Sequence, residues 1–216
     1  MSIGKFEEWR LKSQEDAVEA FQEFINNCDS LSPLGHYQTE TYHCPNCESK
    51  QTMRLRETIV SVFFHQKFIK RGKFDLNDAL LNMFNQFEHS QKVCNETECR
   101  FQCLRKLVID GKPRYLMVNL IRAGPNNAKI NTACIVAENL VINTTEGPSS
   151  FELISVIKHI GSHANAGHYV CYRKSRDVWF EINDASITST SVLALEKANL
   201  FIYKQKVSHE HPDAQQ

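Results

Sequence analysis

Apolar residues recur along this chain with two different periods, and the changes between them mark its elements. Ala17, Phe21, Phe24 and Ile25 keep helical spacing, and Ala20 and Cys28 widen the stripe. Ser13 followed three residues later by Asp16 reads as a capping box, which predicts a helix opening at Gln14 and ending by Asn26 and Asn27. Residues 53–68, rich in Val, Ile, Phe and Thr, predict one or two strands. Residues 76–87 return to helix, with Leu80, Leu81, Phe84 and Phe87 expected on one buried face. Strands then dominate, over 107–110, 115–121, 135–142, 151–159, 168–173, 178–182 and 200–204. No repeat is visible.

Composition narrows the class. A chain of 216 residues, 42% hydrophobic and 23% charged, can bury a proper core and is not disordered. Lys and Arg number 25 and Asp and Glu 25, so there is neither a basic footprint for nucleic acid nor a polybasic patch for a membrane. No apolar run is long enough to span a bilayer. The first ten residues are polar and mixed in charge, unlike a signal peptide, so an intracellular monomer in the cytoplasm or nucleus is expected. The tail from 208 to 216 is polar, and its histidines are read as solvated.

Eight cysteines change this picture by their grouping. Cys44-Pro-Asn-Cys47 is a knuckle whose two thiolates can share one cation, and a second pair from a distant hairpin would close a tetrahedral zinc site of structural type. Cys94 and Cys99 are the natural second pair, with Cys99 and Cys103 as the alternative. Buried free thiols are the plain reading against it.

A second constellation lies near the carboxy terminus. If the polar loop 174–177 closes a hairpin with Arg173 opposite Val178, His168 stands opposite Asn183, with Cβ atoms roughly 5 Å apart on one face. Asp184 is next along the chain. A carboxamide or carboxylate that fixes the tautomer of a histidine is the back half of a nucleophilic triad. Gly35-His36-Tyr37 repeats the letters Gly-His-Tyr, but its Pro/Gly surroundings read as a loop with no returning strand, so His36 receives no catalytic role.

At these residues the chain resembles a ubiquitin-specific protease, a deubiquitinating cysteine peptidase of papain-like α+β fold. The stretch 14–19 resembles that family's glutamine box, Cys44, Cys47, Cys94 and Cys99 its zinc-binding fingers, and 113–122 a palm strand. Segments 151–161, 167–169 and 179–184 resemble its histidine box, and 200–203 its closing strand. The resemblance runs from Ser13 to Lys206 in the family's order. It implies one domain over 13–206, with a residual thumb helix at 13–28, fingers at 40–106 and palm at 107–206, between flexible termini at 1–12 and 207–216. It also implies His168 as general base, Asn183 as its orienting partner with Asp184 adjacent, and Gln14, Asp16 and Tyr169 as contacts to the ubiquitin tail. Ubiquitin or its conjugates would be the partner and structural zinc the cofactor. One departure matters. The family's nucleophile lies in a Gly-x-Asn-x-Cys segment before the glutamine box, and the thirteen residues preceding Gln14 contain no cysteine. Cys28 falls at a predicted helix end, Cys171 on the strand face opposite His168, and Cys134 has no helix behind it, so none is a good nucleophile. The resulting expectation is an inactive or truncated deubiquitinase domain, with a ubiquitin-binding pseudoenzyme or a zinc-stabilised scaffold as alternatives.

Overall fold

The computed structural model describes residues 16–28, 31, 34–96, 98–124, 128–163, 166–191 and 195–206. Ser13 and Gln14, and with them the capping box and one expected tail contact, lie outside these residues, as do 1–12 and 207–216.

The first helix, α1 (Ala17–Asn27), begins where its apolar stripe does and later than the opening at Gln14 that the capping-box reading gave. Asp16 is itself the cap: its backbone is extended and Oδ1 accepts from the amides of Val18 at 2.7 Å and Glu19 at 3.3 Å. Val18 and Ile25 are buried with Ile59, Met117 and Leu200, while Phe24 stays exposed, so the helix rests on its Val18–Ile25 edge. The second helix, α2 (Leu76–Asn85), is capped by Asp75, whose Oδ1 accepts from the Asp78 amide at 3.1 Å. Its buried face is Leu76, Ala79, Leu80 and Phe84; Leu81 and Phe87, expected there, are exposed. Leu81 is one residue, roughly 100°, off the Leu80 line, and Phe87 lies beyond the last turn.

Strand β1 (His36–His43) corrects the loop reading of Gly35-His36-Tyr37. It pairs antiparallel with β2 (Lys50–Glu57), His36 opposite Glu57, and with β7 (Gln102–Ile109), which also takes β6 (Glu88–Val93) on its far side. His36 is buried at the root of this finger sheet. The alternation along β1 is polar (His, Gln, Glu) on its buried side, which is why it escaped a hydrophobic-periodicity reading. The region 53–68 resolves into β2, β3 (Val60–Phe63) and a short 3₁₀ turn. A small sheet of β4 (Ile69–Lys70), β5 (Lys73–Asp75) and β9 (Cys134–Ile135) stands apart, so the expected strand 135–142 is two strands, the second being β10 (Asn139–Thr144).

The palm is built on β11 (Gly147–His163), the long strand that pairs with β10, β12 (Ala166–Ser175) and β15 (Ala198–Gln205). From β12 the sheet continues to β13 (Val178–Asn183) and β14 (Ser186–Thr190); from β15 it continues to β8 (Tyr115–Ile121), which pairs parallel with β3. A parallel contact of Thr144 with Ile109 joins palm to fingers. Phe151, Leu153, Val156, Phe201 and Tyr203 fill the core with α2, each fully buried hydrophobic side chain contributing about 1.5–3 kcal/mol. Arg122, buried just past β8, ties this core to the next loop: Nε donates to the Ala198 carbonyl at 2.8 Å and Nη1 to that of Thr132 at 2.7 Å.

Candidate functional site

His168 and Asn183 meet, although by a different register from the one expected. The turn of the β12–β13 hairpin is Arg176-Asp177, so Ser175 lies opposite Val178 and Cys171 opposite Ile182. Arg173 faces Phe180, not Val178. The pairing has slipped by two residues, which preserves the face of every side chain because the strand period is two. His168 and Asn183 become diagonal neighbours, still within reach of side chains of their length. His168 Nε2 stands 2.6 Å from Asn183 Oδ1. A carboxamide oxygen can only accept, so Nε2 carries the proton and Nδ1 keeps its lone pair. Asp184 Oδ2 is 3.9 Å from Nε2 and highly exposed, and the residue is in the left-handed region at φ 52°. It can pair with the imidazolium but does not orient the neutral ring.

A cleft of about 340 Å³ lies between the start of α1 and the palm, lined by Tyr169, the residue after His168 on β12. Asp16 and Tyr169, two of the three expected tail contacts, line it together, and the Tyr169 hydroxyl reaches Asp16 Oδ2 at 3.4 Å. Burial first, and then the Asp16 carboxylate, push the Tyr169 phenol above its ordinary pKa. Its far wall is a group that sequence reasoning did not single out. Lys129 Nζ donates to the carbonyls of His159 at 2.9 Å and Gly161 at 3.0 Å, and lies 2.9 Å from His159 Nδ1. The His159 ring lies against Tyr169, centroids 4.8 Å apart. Burial and the Lys129 ammonium lower the pKa of His159. Lys129 sits in a polar loop with no periodicity, so nothing local in the sequence marks it.

Gly167 makes this arrangement possible. A Cβ there would run into the His159 ring and the Ile160 carbonyl oxygen, because β11 and β12 close tightly where Ile160 opposes His168. No residue larger than glycine fits without moving the strand that carries His168.

At the tips of the two finger hairpins Cys44, Cys47, Cys94 and Cys99 bring their sulfurs within 4.8 Å of one another. Cys44 and Cys99 sulfurs are 3.6 Å apart, as are those of Cys47 and Cys94. Four thiolates held about 2.3 Å from a tetrahedral ion have edges of about 3.8 Å, so the set fits zinc, and it selects Cys94 over Cys103 as the partner of Cys99. Glu48 and Glu98 adopt positive φ (59° and 68°), turning the chain tightly beside the cysteines. The Ser49 hydroxyl and amide pull the Cys47 thiol down to about 6, which favours the thiolate a cation needs. For Cys44 the Cys47 amide acts to lower the pKa, but burial and hydrogen bonding with the Cys47 and Cys99 thiols outweigh it and hold the value up. The other thiols have different surroundings. Cys171 lies 3.5 Å from the Ser155 hydroxyl, Cys134 donates to the Leu195 carbonyl, and Cys28 caps the C-terminal end of α1.

Comparison with known proteins is consistent across three kinds of likeness. The family profile of ubiquitin carboxyl-terminal hydrolase matches residues 2–203. Human ubiquitin carboxyl-terminal hydrolase 29 is 35% identical over 120 residues, 52% of this chain and 12% of the relative. Ubiquitin carboxyl-terminal hydrolase 16 of Arabidopsis thaliana is 24% identical over 171 residues, 74% of this chain and 16% of its own. The SAGA Ubp8/Sgf11/Sus1/Sgf73 DUB module bound to ubiquitin aldehyde superposes with a TM-score of 0.72 at 22% identity, covering 92% of this chain and 52% of the solved one. A Ubp8 variant of that module bound to monoubiquitin gives 0.72 at 24%, covering 90% and 49%. The chain thus spans about half the length of the solved chains, and the matched stretches make up a small part of the curated relatives.

Proposed function

The chain belongs to the ubiquitin carboxyl-terminal hydrolase family, and from that premise we propose that it is the ubiquitin-facing palm and fingers of a cysteine-type deubiquitinase. The observation that carries this reading is the 2.6 Å bond between His168 Nε2 and Asn183 Oδ1. With Nε2–H donated to Asn183, the Nδ1 lone pair is the base that would take a thiol proton and later return it to the leaving amine. Asn183 supplies orientation alone. Asp184 would stabilise the imidazolium weakly from its exposed position. Asp16 and Tyr169, the residue after His168, approach each other across the cleft at the start of α1, which suits a glycine-ended tail, since glycine lets a backbone approach where a side chain would not. Ubiquitin bound to the related Ubp8 modules supports ubiquitin as the partner here. Zinc in the four-cysteine site would tie the finger tips together and take no part in bond cleavage.

The reaction itself needs a thiolate at His168 Nδ1. The surroundings of Cys28, Cys134 and Cys171 suit none of them to that role, Cys44, Cys47, Cys94 and Cys99 form the metal set, and Cys103 is buried beside that set in the finger. The 216-residue chain alone is therefore a ubiquitin binder without hydrolytic activity, and a cysteine-bearing segment supplied in fusion or in trans makes it an enzyme. A fluorogenic ubiquitin substrate and ubiquitin titration test this together. Expected are binding without turnover for the chain alone, and turnover with the added segment that His168→Ala abolishes. Labelling of any cysteine of the bare chain by a ubiquitin active-site probe would refute the inactive reading. Absence of both binding and turnover would leave only a scaffold.

A further inference from the structure

Cys103 is a fifth thiol in the finger, and the metal set does not use it. It is the second residue of β7, only 5% exposed, and belongs to one buried cluster with Cys44, Cys94 and Cys99. The strand pairing says which of them it faces. Val93 lies opposite Gln102, and the Cys94 amide continues the ladder with a bond to the Phe101 carbonyl at 2.9 Å. Cys94 therefore stands across from Phe101, and Cys103, two residues further along β7, projects from the same face as its diagonal neighbour. The register between His89 and Val93 is irregular, which places extra chain on the β6 side at this point. A cleft of about 210 Å³ has both thiols on its wall, together with Tyr42, Lys50 and Lys92.

We propose that Cys103 is a reserve ligand, which takes the coordination position of Cys94 when that thiolate is lost. The proposal rests on the reading of the four-cysteine site as a zinc centre. In the exchange the Cys94 sulfur–metal bond breaks and the Cys103 sulfur forms one in its place, the Cys103 proton passing to solvent with no redox change. A cysteine needs only a change between staggered χ1 wells to redirect its sulfur, and the incoming donor is chemically identical to the outgoing one. The finger would keep its tips clamped after alkylation or oxidation of Cys94.

The test uses the full chain as wild type, Cys103→Ala, Cys94→Ala and the double variant, each prepared with zinc. Metal content is measured by elemental analysis, and the number of bound thiolates by sulfur-to-cobalt charge-transfer absorption after exchange into cobalt(II). Wild type, Cys103→Ala and Cys94→Ala should each hold one metal with the same four-thiolate intensity. The double variant should lose the metal or fall to three-thiolate intensity. Loss of metal from Cys94→Ala, failure of that variant to fold, or a spectrum equal to the double variant's would each overturn the proposal, because a reserve ligand would have preserved both metal and fold. A wild type without metal would overturn the zinc reading itself, an outcome distinct from all of these.

Discussion

Replacing Gly167 by alanine tests the close approach of β11 and β12 with a single methyl group. The added Cβ would overlap the His159 ring, whose Cε1 would be 2.7 Å away, and would also overlap the Ile160 carbonyl oxygen. The ring is buried between Lys129 and Tyr169 and yields only by giving up those contacts, while the carbonyl belongs to the strand paired with His168 and can retreat only with it. Overpacking of this kind costs about 1–3 kcal/mol, and the backbone contact places Gly167→Ala near the middle, at about 2 kcal/mol. For a domain of this size that lowers Tm by about 4–8 °C. Thermal unfolding followed by circular dichroism reads it directly. A second variant separates the two contacts. Adding His159→Ala removes the ring, so part of the cost of the methyl should disappear, by about 1 kcal/mol of coupling in a double-mutant cycle, while the remainder persists against the Ile160 carbonyl. Gly167→Ala melting with the wild type would refute the argument. Full recovery in the cycle would show that the ring alone, and not the strand, sets the limit.

Burial lowers the pKa of His36, and the Gln38 side chain offsets this only in part. Because the folded value lies below the unfolded one near 6.5, its contribution to stability is complete above about pH 6.5 and drains as pH falls toward the folded value; His36→Leu should flatten the urea-unfolding profile in that window. Chelation should remove about one metal ion per chain and lower Tm without disturbing the His168–Asn183 bond, read by the imidazole proton resonances before and after chelator. Lys129→Met should cost about 1–2 kcal/mol by leaving the His159 and Gly161 carbonyls short of a donor, and Lys129→Arg should recover part of it in the same denaturant titration.

Much of the palm could be read from alternation, because its strands bury apolar residues on a regular period. The finger strand β1 could not, since its buried positions carry His36, Gln38 and Glu40, the last in an ion pair with Arg105 on a strand far along the chain. The His168–Asn183 pair survived an error in the register because a slip of two leaves facing unchanged, whereas a slip of one would have put them on opposite sides. The metal set followed from cysteine spacing, but the choice of Cys94 over Cys103 as the partner of Cys99 needed three dimensions. The Lys129–His159 wall had no sequence signal, as its bonds run to backbone carbonyls that any residue could provide.

The fingertip site also bears on the order in which this protein assembles. Cys47 and Cys94 are 47 positions apart, and all of β2, β3 and α2 is made between them. The first pair of thiolates leaves the ribosome with its turn already local, while the second pair arrives only after that intervening chain. Closing such a loop is entropically affordable, each doubling of length adding about 0.6 kcal/mol, but it is slow compared with forming either hairpin, since non-local contacts form late. Until β6 and β7 pair, the Cys44–Cys47 turn could offer a cation only two of the four sulfurs of the completed site. Metal uptake to the full four-sulfur state would then mark completion of the finger sheet, and a refolding experiment that followed it would time the joining of the two halves of the finger rather than the formation of either one.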